Sequence, residues 1–350
     1  MSQEQLYSNV LVKIGVERSN LLSKEKLQRL TDSNSLTELI TELRTTIYGE
    51  KLSKLTTPYS TDDLERAFRE TFIEVCIKMV KNSPLTVSAF LKTYLLKFEH
   101  ENIKTILRAI SVGLPYDDIK NKLYMSVEKS LKREEVFLKA AMALQVKLAV
   151  EALQHTIYGP LLSSGLQKYE ETGSTKYFDL LLDKMFYEEF GKNFHNMPKN
   201  EQQLAFYYVS TKTEMFNILT ILRAKLLGYD SHWIRVALSR DFYTISEQTI
   251  ESMLMAEDFK SAMEVVEQTH YKKLFAKAET PEKTVSDAEK ALKQEIFEHA
   301  QTTKIGDPFN VGSVMAFIMR KEIELYNLTM ISLGTEYKWK KDDILNRLFF

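Results

Sequence analysis

The sequence predicts an all-α protein built from three similar helical modules, and three observations carry that expectation. Glycine and proline are scarce, 11 and 7 in 350 residues, while Leu, Glu, Lys and Ala abound, so helix formers dominate. Apolar residues recur at steps of three and four, the period of one helix face. Most informative is a threefold internal repeat, in which residues 99–123, 214–238 and 324–348 align without a gap. Each copy opens on Glu-x-x-Asn (Glu99 and Asn102, Glu214 and Asn217, Glu324 and Asn327), has Ile four and seventeen positions past the Asn, and Leu twenty-one past it. A Thr-x-Tyr landmark at Tyr48, Tyr158 and Tyr271 lies upstream of each copy and sets a period of roughly 110 residues, longer than a solenoid unit and close to a small domain.

Along the chain, the residues 5, 9 and 12 positions before each landmark tyrosine are apolar: Leu43, Leu39 and Leu36, then Leu153, Ala149 and Val146, then Val266, Ala262 and Phe259. They predict a helix before each tyrosine. Ser35 with Glu38 is a capping-box pattern that starts the first of these helices. In the second copy the helix is expected to run unbroken from about Glu134. The next helix of the first module begins at Asn82-Ser83-Pro84, where a polar cap precedes a proline, and continues through Glu99 and Asn102 to about Ala109. Gly113 and Pro115 stop it, Gly228 matches Gly113 in the second copy, and the third copy is expected to turn earlier, at Gly334. The polar stretch 272–308, with Pro281, Gly306 and Pro308, reads as an exposed helix and a mobile loop. Module boundaries fall near residues 124 and 239, giving modules 1–124, 125–239 and 240–350.

Composition narrows the function. With 47 basic and 48 acidic residues the chain has no global field to hold nucleic acid. The N-terminus has neither a basic region nor an apolar core, so no secretory signal is expected. The most apolar stretch, 136–153, is interrupted by Lys139, Gln145, Lys147 and Glu151 and reads as an amphipathic core helix rather than a membrane span. The single cysteine, Cys76, excludes an internal disulfide and a cysteine metal cluster, which suits a reducing cytosol.

The search for chemistry is negative. There is no phosphate-cradling Gly-x-x-x-x-Gly-Lys-Ser/Thr loop and no Gly-x-Gly-x-x-Gly, and the six histidines are scattered without metal-ligand spacing. No catalytic residue, metal or cofactor is expected. Adjacent carboxylates such as Glu188 and Glu189 point to different sides of a helix and read as solvated faces. Asn is a poor interior helix residue, so its recurrence at 102, 217 and 327 needs a reason: a side-chain bond that locks packing, or a contact shared with a ligand or partner. The packing reading is favoured, because no evident chemistry needs three equivalent sites. The landmark tyrosines read as half-buried packing residues with bonded hydroxyls. Arg108 and Arg223, six positions past Asn102 and Asn217, are either candidate contacts for a partner carboxylate or solvated guanidinium groups.

The repeat also carries a resemblance. Phe90-Leu-Lys-Thr-Tyr94, Lys97-Phe-Glu-His-Glu-Asn-Ile103 and Ile106-Leu-Arg108 resemble the C subunit of archaeal-type (A-type/V-type) rotary ATP synthases and its vacuolar ATPase counterpart, the d subunit. The C-terminal residues Phe309, Gly312, Phe317, Arg320, Lys321, Glu322 and the run Glu324-Leu-Tyr-Asn-Leu328, followed by a short helix over 341–348, are similar to the same family, as are Leu21, Leu22 and the segment ending at Tyr48. Val209-Ser-Thr-Lys-Thr213 departs from the family pattern, where a Tyr-containing run is more typical. The resemblance implies three helical modules in a pseudo-threefold funnel. It implies a non-catalytic rotor subunit, peripheral on the cytoplasmic face of the membrane. The subunit would receive the D and F subunits of the central stalk in its concave face and rest on the membrane proteolipid ring. It would thereby couple ion transport to ATP synthesis or hydrolysis alongside the other ATPase subunits, with no direct bilayer insertion. The competing expectation is a free-standing helical-repeat scaffold that binds helices or peptides.

Overall fold

A computed structural model describes residues 3–275, 279–302 and 308–350. Among them are nineteen α-helices, one 3₁₀ turn (His270–Leu274) and no strand, as the composition predicts. The chain forms two compact units, residues 1–91 with 293–350, and residues 92–292. It passes between them within two of its long helices, Leu85–Ser111 and Pro281–Thr302.

In the first unit the helix Thr61–Asn82 packs along Val311–Glu336, with Gln3–Ser19 against both. Thr61–Asn82 starts on a capping box, Ser60 accepting from the Asp63 amide while the Asp63 carboxylate accepts from the Ser60 amide at 3.0 Å. Asn310 caps Val311–Glu336 by accepting from the Ser313 amide at 3.2 Å. Phe68, Leu64, Leu328, Ile331, Ile344 and Leu348 meet Leu30, Leu39, Leu43 and Tyr48 in one buried cluster. Chain start and chain end therefore share a core.

In the second unit, two buried clusters involve the repeated segments. One joins Ile103, Ile106, Leu107, Ile119 and Leu123 to Phe137, Val146, Ala149, Leu153, Tyr158 and Phe178. The other joins Ile218, Ile221, Leu222, Ile234 and Leu238 to Ile250, Met253, Ala262, Val266 and Tyr271. In all three clusters the Glu-x-x-Asn helix of one copy packs on the Thr-x-Tyr segment of the next, the third copy using the first. The packed units are thus out of phase with the sequence period, and each core assembles across the positions where the repeat joins.

Two expectations about the course of the helices are corrected, and the landmark tyrosines, expected half-buried, are fully buried. The helix from Glu134 is not continuous but breaks between Glu134–Ala141 and Val146–Ala152, with Gln145 extended at φ −141° and ψ 147°. Phe137, Ala140 and Ala141 are buried, and an unbroken helix would place Leu144 and Leu148 on the same face. Leu144 is instead 89% exposed, and the break turns Val146, Ala149, Val150 and Leu153 inward. The stretch 136–153 is therefore two short core helices. The third copy does not turn at Gly334, which lies inside Val311–Glu336, where the Ile344 side chain occupies the space a Cβ would fill. It turns at Lys338, with φ 56°, eleven positions past Asn327 and at the same offset as Gly113 (φ 74°) and Gly228 (φ 69°). In each copy the amide of the following residue, Leu114, Tyr229 or Trp339, closes the helix end by donating at 2.9 Å to the carbonyl of Ala109, Ala224 or Gly334.

Two helices start where their caps were expected. Ser35 accepts from the Glu38 amide at 3.2 Å, and the Glu38 carboxylate reaches one residue further back than a standard capping box, accepting from the Asn34 amide at 2.8 Å. The helix expected after Asn82-Ser83-Pro84 is Leu85–Ser111. The polar stretch contains the helix Pro281–Thr302, while the loop expected around Gly306 lies outside the described residues.

The left-handed turn at the common offset gives a stability test. A side chain there costs about 1–2 kcal/mol in backbone strain, and a Cβ at Gly228 would meet no atom within 4 Å. Lys338→Gly is expected to raise stability by about 1 kcal/mol and Gly228→Ala to lower it by about 1 kcal/mol, both read from urea denaturation midpoints at unchanged slope.

Candidate functional site

The repeated residues meet in three buried polar clusters of one plan. In each, the asparagine uses both ends of its amide on the backbone of the residue twenty-two positions on. Asn102 accepts from the Tyr124 amide at 2.7 Å, Asn217 from Ser239 at 2.9 Å, and Asn327 from Phe349 at 3.0 Å. The same amides donate to the carbonyls of Tyr124 (3.3 Å), Ser239 (2.9 Å) and Phe349 (2.7 Å). The peptide tied in this way follows the repeat's final leucine, so a long helix and the returning short one are held in register. An asparagine suits this role because one side chain offers a donor and an acceptor side by side.

The glutamates are also buried, and each accepts from the hydroxyl of a landmark tyrosine in the next copy. Tyr48 donates to Glu324 at 2.5 Å, Tyr271 to Glu214 at 2.7 Å, and Tyr158 to Glu99. Burial and the adjacent carboxylate push all three phenols up from their ordinary value, so they stay protonated donors. The threonine of Thr-x-Tyr sets the turn that aims each ring. Thr46, Thr156 and Thr269 donate to the carbonyls of Leu43, Leu153 and Val266 at 2.6–2.7 Å, and accept from the tyrosine amides at 3.2–3.3 Å. In the first two copies a glycine follows the tyrosine, and a Cβ on Gly49 or Gly159 would fall onto the carbonyl of Arg44 or Gln154.

What completes the charge differs from copy to copy. Arg133 donates to both oxygens of Glu99 at 2.8 Å, and the buried Glu128 lies beside that pair, accepting from Asn102 at 2.7 Å. Glu214 has a nest of backbone amides instead, accepting from Tyr243 at 3.1 Å, Ile245 at 2.8 Å and Thr244, whose hydroxyl also donates at 2.5 Å. Glu324 accepts from the Leu22 amide at 2.5 Å and pairs with Lys321, whose ammonium also donates to the Tyr48 hydroxyl at 2.9 Å. Burial holds the Lys321 ammonium below its ordinary value, against the pull of Glu324.

Arg108 and Arg223 are not in these clusters. Each is about half exposed and paired within its own unit, Arg108 with Asp179 at 2.7 Å and Arg223 with Glu289. Among the described residues no group of three or more His, Cys, Asp or Glu side chains could hold a metal, and no helix is long and apolar enough to cross a membrane.

The structure adds roles that the sequence reading missed. Arg133, Glu128 and Lys321 each serve a single copy, so the repeat carries no signal for them. Val112, Leu227 and Tyr337 do have one: all sit ten positions past the repeat asparagine, at the tip of a long helix, and are 73%, 71% and 66% exposed. Met142 and Met255, both sixteen positions before their tyrosine, are also exposed, where the first copy has Asp32 paired with Lys341. An apolar residue kept at one repeat position but off the buried period is the pattern that marks them.

Comparison with known proteins places this architecture. The profile of a family described as ATP synthase (C/AC39) subunit matches residues 10–347. The C subunit of the A-type ATP synthase of Methanocaldococcus jannaschii is 28% identical over 98% of this chain and 86% of its own length. Those of Pyrococcus furiosus and Methanothermobacter thermautotrophicus are 26% and 24% identical over 93% of the chain, covering 85% and 82% of theirs.

The asparagine geometry predicts a cost for its removal. Asn217→Leu leaves the Ser239 amide and carbonyl buried without partners and is expected to lower stability by about 1–3 kcal/mol, whereas the exposed Leu227→Ser should change it by less than about 0.5 kcal/mol. Thermal and urea unfolding of the two variants beside the wild type checks the contrast.

Proposed function

Because the chain belongs to the ATP synthase (C/AC39) subunit family, we propose that it works within the ATP synthase as a non-catalytic rotor component, a socket that couples the D and F subunits of the central stalk to the membrane proteolipid ring. The observation that carries an adaptor role is the apolar residue exposed at the same repeat position in all three copies, Val112, Leu227 and Tyr337. Single exposed apolar residues are ordinary, but one repeated threefold at helix tips supports contact with protein partners. The buried Glu–Tyr and Asn–backbone bonds support the other requirement of a rotor, stiffness, since we take these nine residues to be structural anchors of the repeat rather than a reaction centre.

On this reading the three modules, 1–124, 125–239 and 240–350, are arranged about a pseudo-threefold axis as a funnel, and Arg108 and Arg223 lie where partner carboxylates could compete for them. The protein is peripheral on the cytoplasmic face of the membrane and reaches it through the ring. Ion movement and ATP turnover then take place in other subunits, and this chain transmits torque between them.

The purified chain is expected to bind a D/F stalk complex one to one, with an affinity that falls as salt screens exposed pairs but does not vanish, because apolar contacts remain. Isothermal titration across a salt series measures this. Absence of binding at micromolar concentrations, or fully coupled ion pumping in a complex lacking the chain, would replace the rotor reading with the free-standing scaffold.

A further inference from the structure

The first carboxylate cluster contains one negative group too many. Glu99 and Glu128 are both fully buried, and the guanidinium that faces them, Arg133, spends two bonds on Glu99. The groups around the pair come from every element packed on it. The long helix supplies Glu99, His100, Asn102 and Lys104; Met125–Leu131 supplies Glu128; the segment after it supplies Arg133; and the Thr-x-Tyr turn supplies Tyr158. None of the others offers Glu128 a second positive charge. Lys104 is engaged by Asp183 at 2.6 Å and Glu101 at 3.4 Å. His100 is held neutral, its value pushed down to about 3 by burial and by Lys104. Tyr158 donates its only proton to Glu99. Oε1 of Glu128 accepts from Asn102, but Oε2 is buried and meets no donor among the described residues.

We propose that Glu99 and Glu128 hold one proton between them, carried on Oε2 of Glu128, and that this proton makes the first repeat cluster a clasp that loosens as the medium becomes alkaline. The proton turns an orphaned acceptor into a donor toward Glu99 and leaves a single negative charge for Arg133, so the cluster is neutral overall. Removing it would leave two fully buried carboxylates facing one guanidinium, a costly arrangement because the second charge has no partner. Burial and the Glu99 charge accordingly push Glu128 up to about 9. The position is not repeated: the residue at the same offset in the second copy is Tyr243, and in the third the charge is met by Lys321. Because Glu128 also holds Asn102, its ionisation acts on the anchor that ties the long helix to Tyr124.

The direction with pH follows from linkage. In the unfolded chain Glu128 ionises near its ordinary value of 4.5, whereas in the folded chain it keeps its proton to about 9. The folded state therefore binds the extra proton throughout that window. The stabilising contribution is complete below the lower value, declines as pH rises, and is exhausted above the upper one.

Glu128→Gln is neutral at every pH, keeps an acceptor for Asn102 and offers an N–H to Glu99. Between pH 5 and pH 9 the unfolding constant of the wild type is expected to rise relative to E128Q by up to about tenfold per pH unit, and unfolding at pH 7 to release about one more proton in the wild type. Denaturation in buffers of different ionisation enthalpy, followed by calorimetry, reads both. Parallel pH profiles with equal proton release would overturn the proposal. Should E128Q fail to fold, infrared spectroscopy of the wild type decides: a protonated-carboxyl band at pH 7 that disappears as pH rises to 10 supports the shared proton, and no such band refutes it.

Discussion

A carboxylate taken out of water must be met by donors or lose its charge, and this chain buries one in each of three repeats. That constraint organises the rest. The glutamate lies on the inner side of a long helix, so its donors must come from segments that fold back onto it, and the tyrosine hydroxyl of the next copy is the donor used every time. The three solutions for the remaining charge are chemically distinct: a guanidinium beside a second carboxyl group, a run of backbone amides, and an ammonium on the preceding turn. The geometry is common to the copies, whereas the compensation is local.

The phase of the repeat follows from the same bonds. Read along the chain, each copy places a Thr-x-Tyr segment before a Glu-x-x-Asn helix, yet the buried clusters join each helix to the following copy's tyrosine. For the last helix no following copy exists, and the first tyrosine, Tyr48, takes that place. The N-terminal segment is thus secured by the C-terminal one through a bond between residues 276 positions apart. The arrangement links all three copies by the same interaction, with the first and last copies closing the series.

Much of the fold was legible in residues with a repeated job. The all-α class followed from composition, the helices before each tyrosine from apolar spacing, and the turns at Gly113 and Gly228 from glycine at a fixed offset. In both errors of helix course, packing overruled a local pattern. Periodicity over 134–153 looks continuous because both halves are apolar at helical spacing, and only the direction of the core shows that a straight helix would leave Leu144 and Leu148 facing inward in place of Val146 and Ala149. Gly334 looked like a stop because glycine usually is one, yet it is there to admit Ile344, and the left-handed turn falls on Lys338, a residue with no local reason to adopt it.

Sequence alone therefore determined the helical class, the threefold period, the nine recurring Glu, Asn and Tyr positions and the absence of familiar catalytic motifs, since each of these is written in residue type and spacing. It also carried a family resemblance that comparison over residues 10–347 bears out. Tertiary structure decided which atoms meet: that Asn reaches a peptide twenty-two residues away, that Glu selects the tyrosine of the next copy, that Arg108 and Arg223 pair within the chain, and that Arg133, Glu128 and Lys321 balance the buried charge. These partners occur once each or lie far apart in sequence, and a pairing made by the closing of a core leaves no period to read.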